Sequence, residues 1–240
     1  MAEQLEKWGP KTKKKFEGIP EKNLSEMIFF RDPLRPHIFD HNSFFSPADG
    51  IILYQKIIKP NEEIEIKGRH FSLNILFEDD DPPKVPCLCI GIFMTYLDVH
   101  VNRMPTSGIL NFKLLPPLTT YNYPMLFTEK QLLAKNFIRS FNDMKYENYN
   151  ARMLNKIYNP LIDYSYWLIQ IADDEVNTIT HFTVKQNQFF HQNSRFSFVR
   201  WGSQVDLILP LDNRYNFVPI LPDEFHVEGC VDKIIKIFHR

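Results

Sequence analysis

Cysteine is scarce in this chain, neither charge is in excess, and no long apolar run is present; each shortage closes off a class of proteins. Three cysteines in 240 residues, Cys87, Cys89 and Cys230, are too few and too unevenly placed for a disulfide framework and suit a reducing compartment or simple indifference to redox. With 28 basic and 29 acidic side chains the formal net charge is −1, so no overall field gathers nucleic acid. No stretch approaches the ~20 apolar residues of a membrane-spanning helix, and Met1-Ala2-Glu3-Gln4 lacks the apolar core of a signal peptide. A cytoplasmic protein, soluble or peripheral to a membrane, is expected. Repeats and low-complexity linkers are missing too, and 44% apolar residues supply one core, so residues 1–240 are read as a single domain.

Residues 1 to about 40 are polar and broken by Pro10, Pro20, Pro33 and Pro36, with the basic run Lys11-Thr12-Lys13-Lys14-Lys15. They read as an arm of short helices in which Leu24, Met27, Ile28 and Phe29 form an apolar stripe. From Ile51 onward short β-branched and aromatic runs predominate, bounded by Pro, Gly and Asp clusters, as in 51–54, 64–66 and 88–94. Further strands are predicted at 164–171, 176–184, 195–201 and 204–209, with a final hairpin or strand over 227–235. Apolar residues at intervals of three and four predict one amphipathic helix over 128–144. The fold class is therefore α+β and β-rich: antiparallel sheets in a barrel- or sandwich-like body, a few helices and an N-terminal helical arm.

Three runs carry chemistry: Ser46-Pro47-Ala48-Asp49-Gly50, Leu97-Asp98-Val99-His100-Val101-Asn102-Arg103, and Arg200-Trp201-Gly202-Ser203-Gln204-Val205-Asp206-Leu207-Ile208-Leu209-Pro210. They supply an acid, a base and a nucleophile. A histidine titrating near pH 6.5 can take and return a proton, and a buried carboxylate fixes its tautomer. Ser203 follows a flexible glycine at the head of an alternating apolar run, where its hydroxyl can attack the Gly202 carbonyl. An N-to-O acyl shift makes an ester, elimination leaves dehydroalanine, and hydrolysis gives a pyruvoyl group at the new N-terminus. That carbonyl forms a Schiff base with an amine substrate and drains electrons from a breaking carbon–carboxylate bond. An ordinary serine hydrolase is disfavoured, since Ser203 is outside any G-x-S-x-G elbow.

SPADG (46–50), DVHVNR (98–103), the segment 147–152 and RFSFVRWGSQVDLILP (195–210), with Phe30-Arg31-Asp32-Pro33 as a lead-in, resemble the phosphatidylserine decarboxylase family, in particular its short branch without a membrane-spanning segment. Trp201, Gln204 and Ala151 depart from the usual pattern and remove no reacting group. The resemblance implies Asp49 as the orienting acid and His100 as the base for self-cleavage and later proton donor. It makes Ser203 the precursor of a covalent pyruvoyl cofactor, with cleavage between Gly202 and Ser203 into a β chain of residues 1–202 and an α chain of 203–240. It also implies phosphatidylserine as the lipid substrate, a peripheral membrane surface as partner, and pairing as a homodimer. A serine-headed ether lipid is a variant within the class; an unprocessed homologue serving as a lipid- or membrane-binding module is the rival.

Arg103, Asn150 and Arg152 are candidate substrate-binding residues, because an arginine fork grips phosphodiesters and carboxylates. No metal is assigned: Cys87 and Cys89 alternate with apolar residues and read as buried packing. His181 and His191 read as surface residues, and Glu78-Asp79-Asp80-Asp81 as a solvated loop.

Overall fold

A computed structural model describes residues 1–23, 27–66, 68–78, 81–122, 146–173, 178–182, 184–200 and 203–240. The arm contains β1 (Glu3–Gln4), α1 (Leu5–Phe16) and α2 (Glu21–Asn23), and the chain then reaches β2 (Ser43–Phe45) and β3 (Gly50–Ile58). A hairpin of β4 (Glu63–Ile66) and β5 (Arg69–Ser72) leads into α3 (Leu73–Phe77), followed by β6 (Cys87–Met94) and β7 (Val101–Arg103). Two long strands, β8 (Gly108–Asn122) and β9 (Tyr146–Asn159), precede β10 (Tyr164–Ala172), β11 (Ile179–His181), β12 (Gln188–Phe190) and β13 (Arg195–Val199). The last four are β14 (Ser203–Pro210), β15 (Tyr215–Pro219), β16 (Phe225–Val227) and β17 (Lys233–His239).

Nine strands form one antiparallel sheet in the order β1-β16-β3-β6-β14-β10-β9-β8-β12. It stays open, with β1 and β12 as edges, so the barrel alternative is not realised. Its central strands β6, β14 and β10 are near-continuous apolar text because both of their faces are covered. On one face Ile90, Ile92, Leu168, Val205 and Leu207 pack with Phe44, Phe196, Phe217 and Ile235 from two three-stranded sheets, β11-β13-β7 and β15-β17-β2. On the other, Cys89, Trp167, Ile169 and Ile208 pack with Ile64, Ile66, Phe71, Leu76 and Phe77 of the hairpin and α3.

The predicted strands appear with shifted ends, and of 176–184 the described part forms Ile179–His181. The helix expected over 128–144 lies outside the described residues. The C-terminal stretch is not a hairpin: β16 joins the large sheet beside β3, whereas β17 pairs with β15 and β2. The turn between them, residues 228–232, is thereby free to carry backbone groups to the loop before β3. In the arm the expected apolar stripe divides, since Met27 is 69% exposed and Phe29 fully buried, while Leu24 lies outside the described residues.

Candidate functional site

The loop 46–50 is docked on three sides. Ser46 N donates to Asp232 O, Cys230 N to Ser46 O, and Arg103 N to Pro47 O, at 2.8–3.1 Å. Gly50 then enters β3 with φ +153°, and a Cβ there would meet Phe93 O at 2.3 Å. Only glycine allows this approach, which sets Asp49 at the head of β3, the neighbour of β6. The Asp49 carboxylate accepts both Nη atoms of Arg35 at 2.5 and 2.6 Å, Gly229 N at 2.8 Å and Val99 N at 3.4 Å. Burial pushes its carboxyl above the usual range, and Arg35 opposes the shift.

From the end of β6 the chain turns through residues 95–100 into β7. Asp98 closes this turn, its Oδ2 accepting Thr95 N and Thr95 Oγ1, both at 2.8 Å. Its Oδ1 lies 2.7 Å from His226 Nε2, and Trp8 of α1 stacks on the His226 ring with centroids 4.2 Å apart. Burial lowers the His226 pKa, but Asp98, joined by Asp49 and Glu228, more than offsets this, so the net shift is upward. The same partner carries Asp98 downward against its burial.

His100 is fully buried. Its Nδ1 is 3.1 Å from the Asp98 carbonyl, and its Nε2 has no partner among the described residues. The first contact selects the tautomer protonated at Nδ1 and leaves Nε2 as an acceptor. Burial, with help from the nearby Arg31, pushes the imidazole down to about 4, so it is neutral near pH 7. The expected Asp49–His100 hydrogen bond is therefore not formed: a backbone carbonyl faces the imidazole, and Asp49 reaches it through the amide of Val99.

The arm supplies a layer over these groups. Phe29 stacks on His100 at 3.9 Å between centroids. Arg31 donates to the carbonyls of Leu97 and Asp98, and Arg35 bonds the Gly229 carbonyl at 2.7 Å besides Asp49. Asp32 reaches Arg103 and Arg195.

Ser203 opens β14 between Met94, the last residue of β6, and Ala172, the last of β10. The His100 loop leaves β6 immediately after Met94, and Val199, the last residue of β13, donates its amide to the His100 carbonyl at 3.1 Å. Loop and serine thus hang from one corner of the large sheet. Gly202 lies outside the described residues. Buried amides tie the corner together: Gln170 Nε2 donates to Asn102 Oδ1 at 2.6 Å and to Ser197 Oγ, while Asn155 Nδ2 donates to Gln170 Oε1 at 3.0 Å.

Arg103 and Asn150 are at this corner, Asn150 donating to the Ala172 carbonyl at 2.6 Å. Arg152 is placed elsewhere. Its guanidinium binds the carbonyls of Pro116, Ile75 and Leu76 and the Glu78 carboxylate, a cap on the C-terminus of α3 that leaves little donor capacity for substrate. Glu78 is the αL cap after α3, and it and Asp81 are exposed, as expected of a solvated loop; Asp79 and Asp80 lie outside the described residues. His181 corrects its expectation as well: half-buried, it bonds Asn155 at 2.9 Å and stacks on Phe112, and burial pushes it down to about 4. His191 is exposed, and Cys87 and Cys89 are buried in β6. Phe29, Arg31, Arg35, Asp98 and His226 were missed as site residues. Arg31 and Asp98 stood inside the runs already singled out; nothing local marks His226.

Residues 26–223 match the family model described as phosphatidylserine decarboxylase. A protein carrying the archaetidylserine decarboxylase proenzyme name in Methanothermobacter thermautotrophicus is 30% identical over 190 residues, 77% of this chain and 70% of its own length. The phosphatidylserine decarboxylase proenzyme of Ehrlichia chaffeensis is 31% identical over 186 residues, 78% and 66% of the two chains, and that of Beijerinckia indica is 27% identical over 183 residues, 76% and 62%. The chain spans about two thirds of the length of such relatives. With the three motif runs gathered at one corner and a family match covering most of its length, the chain belongs to the phosphatidylserine decarboxylase family.

Proposed function

We propose that this chain cleaves its own Gly202–Ser203 bond and then decarboxylates phosphatidylserine, releasing CO2 and leaving phosphatidylethanolamine. The observation that carries the reading is His100, a buried imidazole held at one nitrogen and unpaired at the other among the described residues, on the corner where Ser203 begins its strand. A neutral imidazole is the form that accepts a proton, so His100 takes the hydroxyl proton as Ser203 attacks the Gly202 carbonyl. Asp49 is a positioning residue: it holds the amide next to His100, and Arg35 and Gly229 hold Asp49.

The pyruvoyl group derived from Ser203 would supply an electron sink for the carbanion left by CO2. The residues present fit such a group, since it is made in place and needs an acid–base side chain, and His100, whose Nε2 has no partner among the described residues, is in the loop that leaves β6 next to the start of β14. The proton that the substrate's ammonium group gives up on binding passes to the His100 Nε2, an acceptor, and His100 returns it to the carbon that loses CO2, ending neutral as it began. Attachment to a lipid surface belongs to the same reading. Met27, Phe30, Leu34, Ile38 and Phe39 are exposed on the arm, and Lys13, Lys14 and Lys15 end α1, an apolar patch with basic neighbours. The name of the M. thermautotrophicus relative makes an ether lipid with the same headgroup the second substrate to try.

A denaturing intact-mass spectrum tests the first step. Two species of roughly 24 and 4.5 kDa from the 28.5 kDa chain, the smaller blocked by a ketoacyl group, are expected. A single uncleaved species that persists after phosphatidylserine vesicles are added would refute the reading and favour a lipid-binding module.

A further inference from the structure

The pairing of β7 with β13 sets Arg103 directly opposite Arg195. Like charges facing each other across a ladder repel, and Arg103 is buried, where a guanidinium without a counter-charge is costly. An anion between them relieves both problems. Asp32 of the arm fills that place: Arg103 Nη2 donates to its Oδ1 at 2.8 Å, and Arg195 Nε lies 2.9 Å from its Oδ2. One carboxylate therefore takes a donor from each of two arginines on adjacent strands, an arrangement that phosphate oxygens accept equally well.

The pair has donor capacity beyond what Asp32 uses. Arg103 Nη1 reaches the Asn193 carbonyl only at 3.4 Å, and its Nε has no partner among the described residues. The place is also reachable, with the side chain of Asp32 24% exposed and that of Arg195 47% exposed, and with Phe30 and Leu34 exposed beside Asp32 on the arm. On its inner side Arg103 stands three residues past His100, about 10 Å along an extended strand. Phe29, three residues before Asp32, lies on the His100 ring.

We propose that Arg103 and Arg195 form a binding site for the phosphate group of an anionic headgroup, and that Asp32 occupies it as an internal stand-in until that group displaces it. Displacement exchanges one counter-anion for another with no covalent change, and moving the segment that bears Asp32 also draws Phe29 off the imidazole. The assignment to a serine headgroup rests on the decarboxylase reading; the anion site does not.

The test is calorimetric titration of glycerophosphoserine and, separately, inorganic phosphate into the wild-type protein, Asp32→Asn, and the double variant Asp32→Asn with Arg195→Gln, folding being checked by thermal transition. Asp32→Asn is expected to bind glycerophosphoserine at least about tenfold more tightly than wild type, and loss of Arg195 to remove that gain. Equal affinity in wild type and Asp32→Asn, or a gain that survives the loss of Arg195, overturns the site. A gain for inorganic phosphate alone overturns the headgroup assignment. Arg195→Lys, which keeps Asp32 and the charge but loses the fork, is expected to raise KM for phosphatidylserine vesicles about threefold or more with a smaller change in kcat; an unaltered KM counts against the site. A chain that never cleaves at Ser203 yet shows the titration pattern would refute the processing reading and leave the anion site standing.

Discussion

On the face of the large sheet that carries His100, buried polar side chains interrupt the apolar packing: Asn102, Asn155, Gln170 and Ser197 are all fully buried there. The opposite face, under the β4–β5 hairpin and α3, is filled mainly by Ile64, Ile66, Phe71, Leu76, Trp167 and Ile169. Its polar groups serve structural ends, Arg152 capping α3 and Tyr54 donating to Asp206. Gly91 shows how tightly that second group is packed, since a Cβ there would meet the Tyr54 ring at 2.4 Å. Buried polar atoms cost stability unless their partners are in place. The His100 face accepts this cost for a network of buried amide and hydroxyl side chains, whereas the hairpin face gains its stability chiefly from apolar contacts.

His100→Ala tests the polar face most directly. It is expected to slow self-cleavage by about 10²–10⁴-fold, as loss of a positioned general base does, while leaving the hairpin face packed. Time-resolved intact mass gives the rate, and cleavage at the wild-type rate would remove His100 from the mechanism.

On the other face, Leu76→Ala is expected to cost about 2–5 kcal/mol in denaturant unfolding, the transfer loss plus a cavity, with cleavage still reaching completion in protein that remains folded. Gln170→Leu, set beside it, removes one partner from each of Asn102, Ser197 and Asn155 and is expected to cost about 1–3 kcal/mol. If the two faces differ as described, Gln170→Leu slows cleavage at a smaller stability loss than Leu76→Ala, which does not.

The pH dependence of stability separates histidines of opposite sense. His100 and His181 bind protons less readily folded than unfolded, so stability falls as pH drops from about 6.5 toward about 4, by up to about 3 kcal/mol for His100. The folded pKa of His226 is raised through Asp98, so its contribution is complete below about 6.5 and is lost as pH climbs through that folded value. Unfolding curves of wild type and His226→Gln across this range are expected to differ in alkaline slope; superimposable slopes would mean that the Asp98 pairing does not control His226.

Much of this was legible in the amino-acid order. Short β-branched and aromatic runs at 88–94, 164–171 and 204–209 marked β6, β10 and β14. Asp49, His100 and Ser203 stood out because proton transfer and nucleophilic attack need particular side chains. The close approach at Gly50 emerged only in the fold, and Gly202, the glycine read as tolerating strained backbone, lies outside the described residues. His181 was misread because a histidine in polar text gives no sign that Phe112 will cover it, and Arg152 because the carbonyls it caps belong to a helix some 75 residues earlier.

The chemical inventory and the strand-rich character could be read from the amino-acid order, since both depend on side-chain type and near-neighbour spacing. Which acid meets which base was settled by folding. Asp98 finds His226 at 128 residues' separation, and Asp49 receives Gly229 from 180 residues away. Such pairings leave no local periodicity, because they arise when a nine-stranded sheet must satisfy buried carboxylates with whatever donors its loops and termini bring to the same corner.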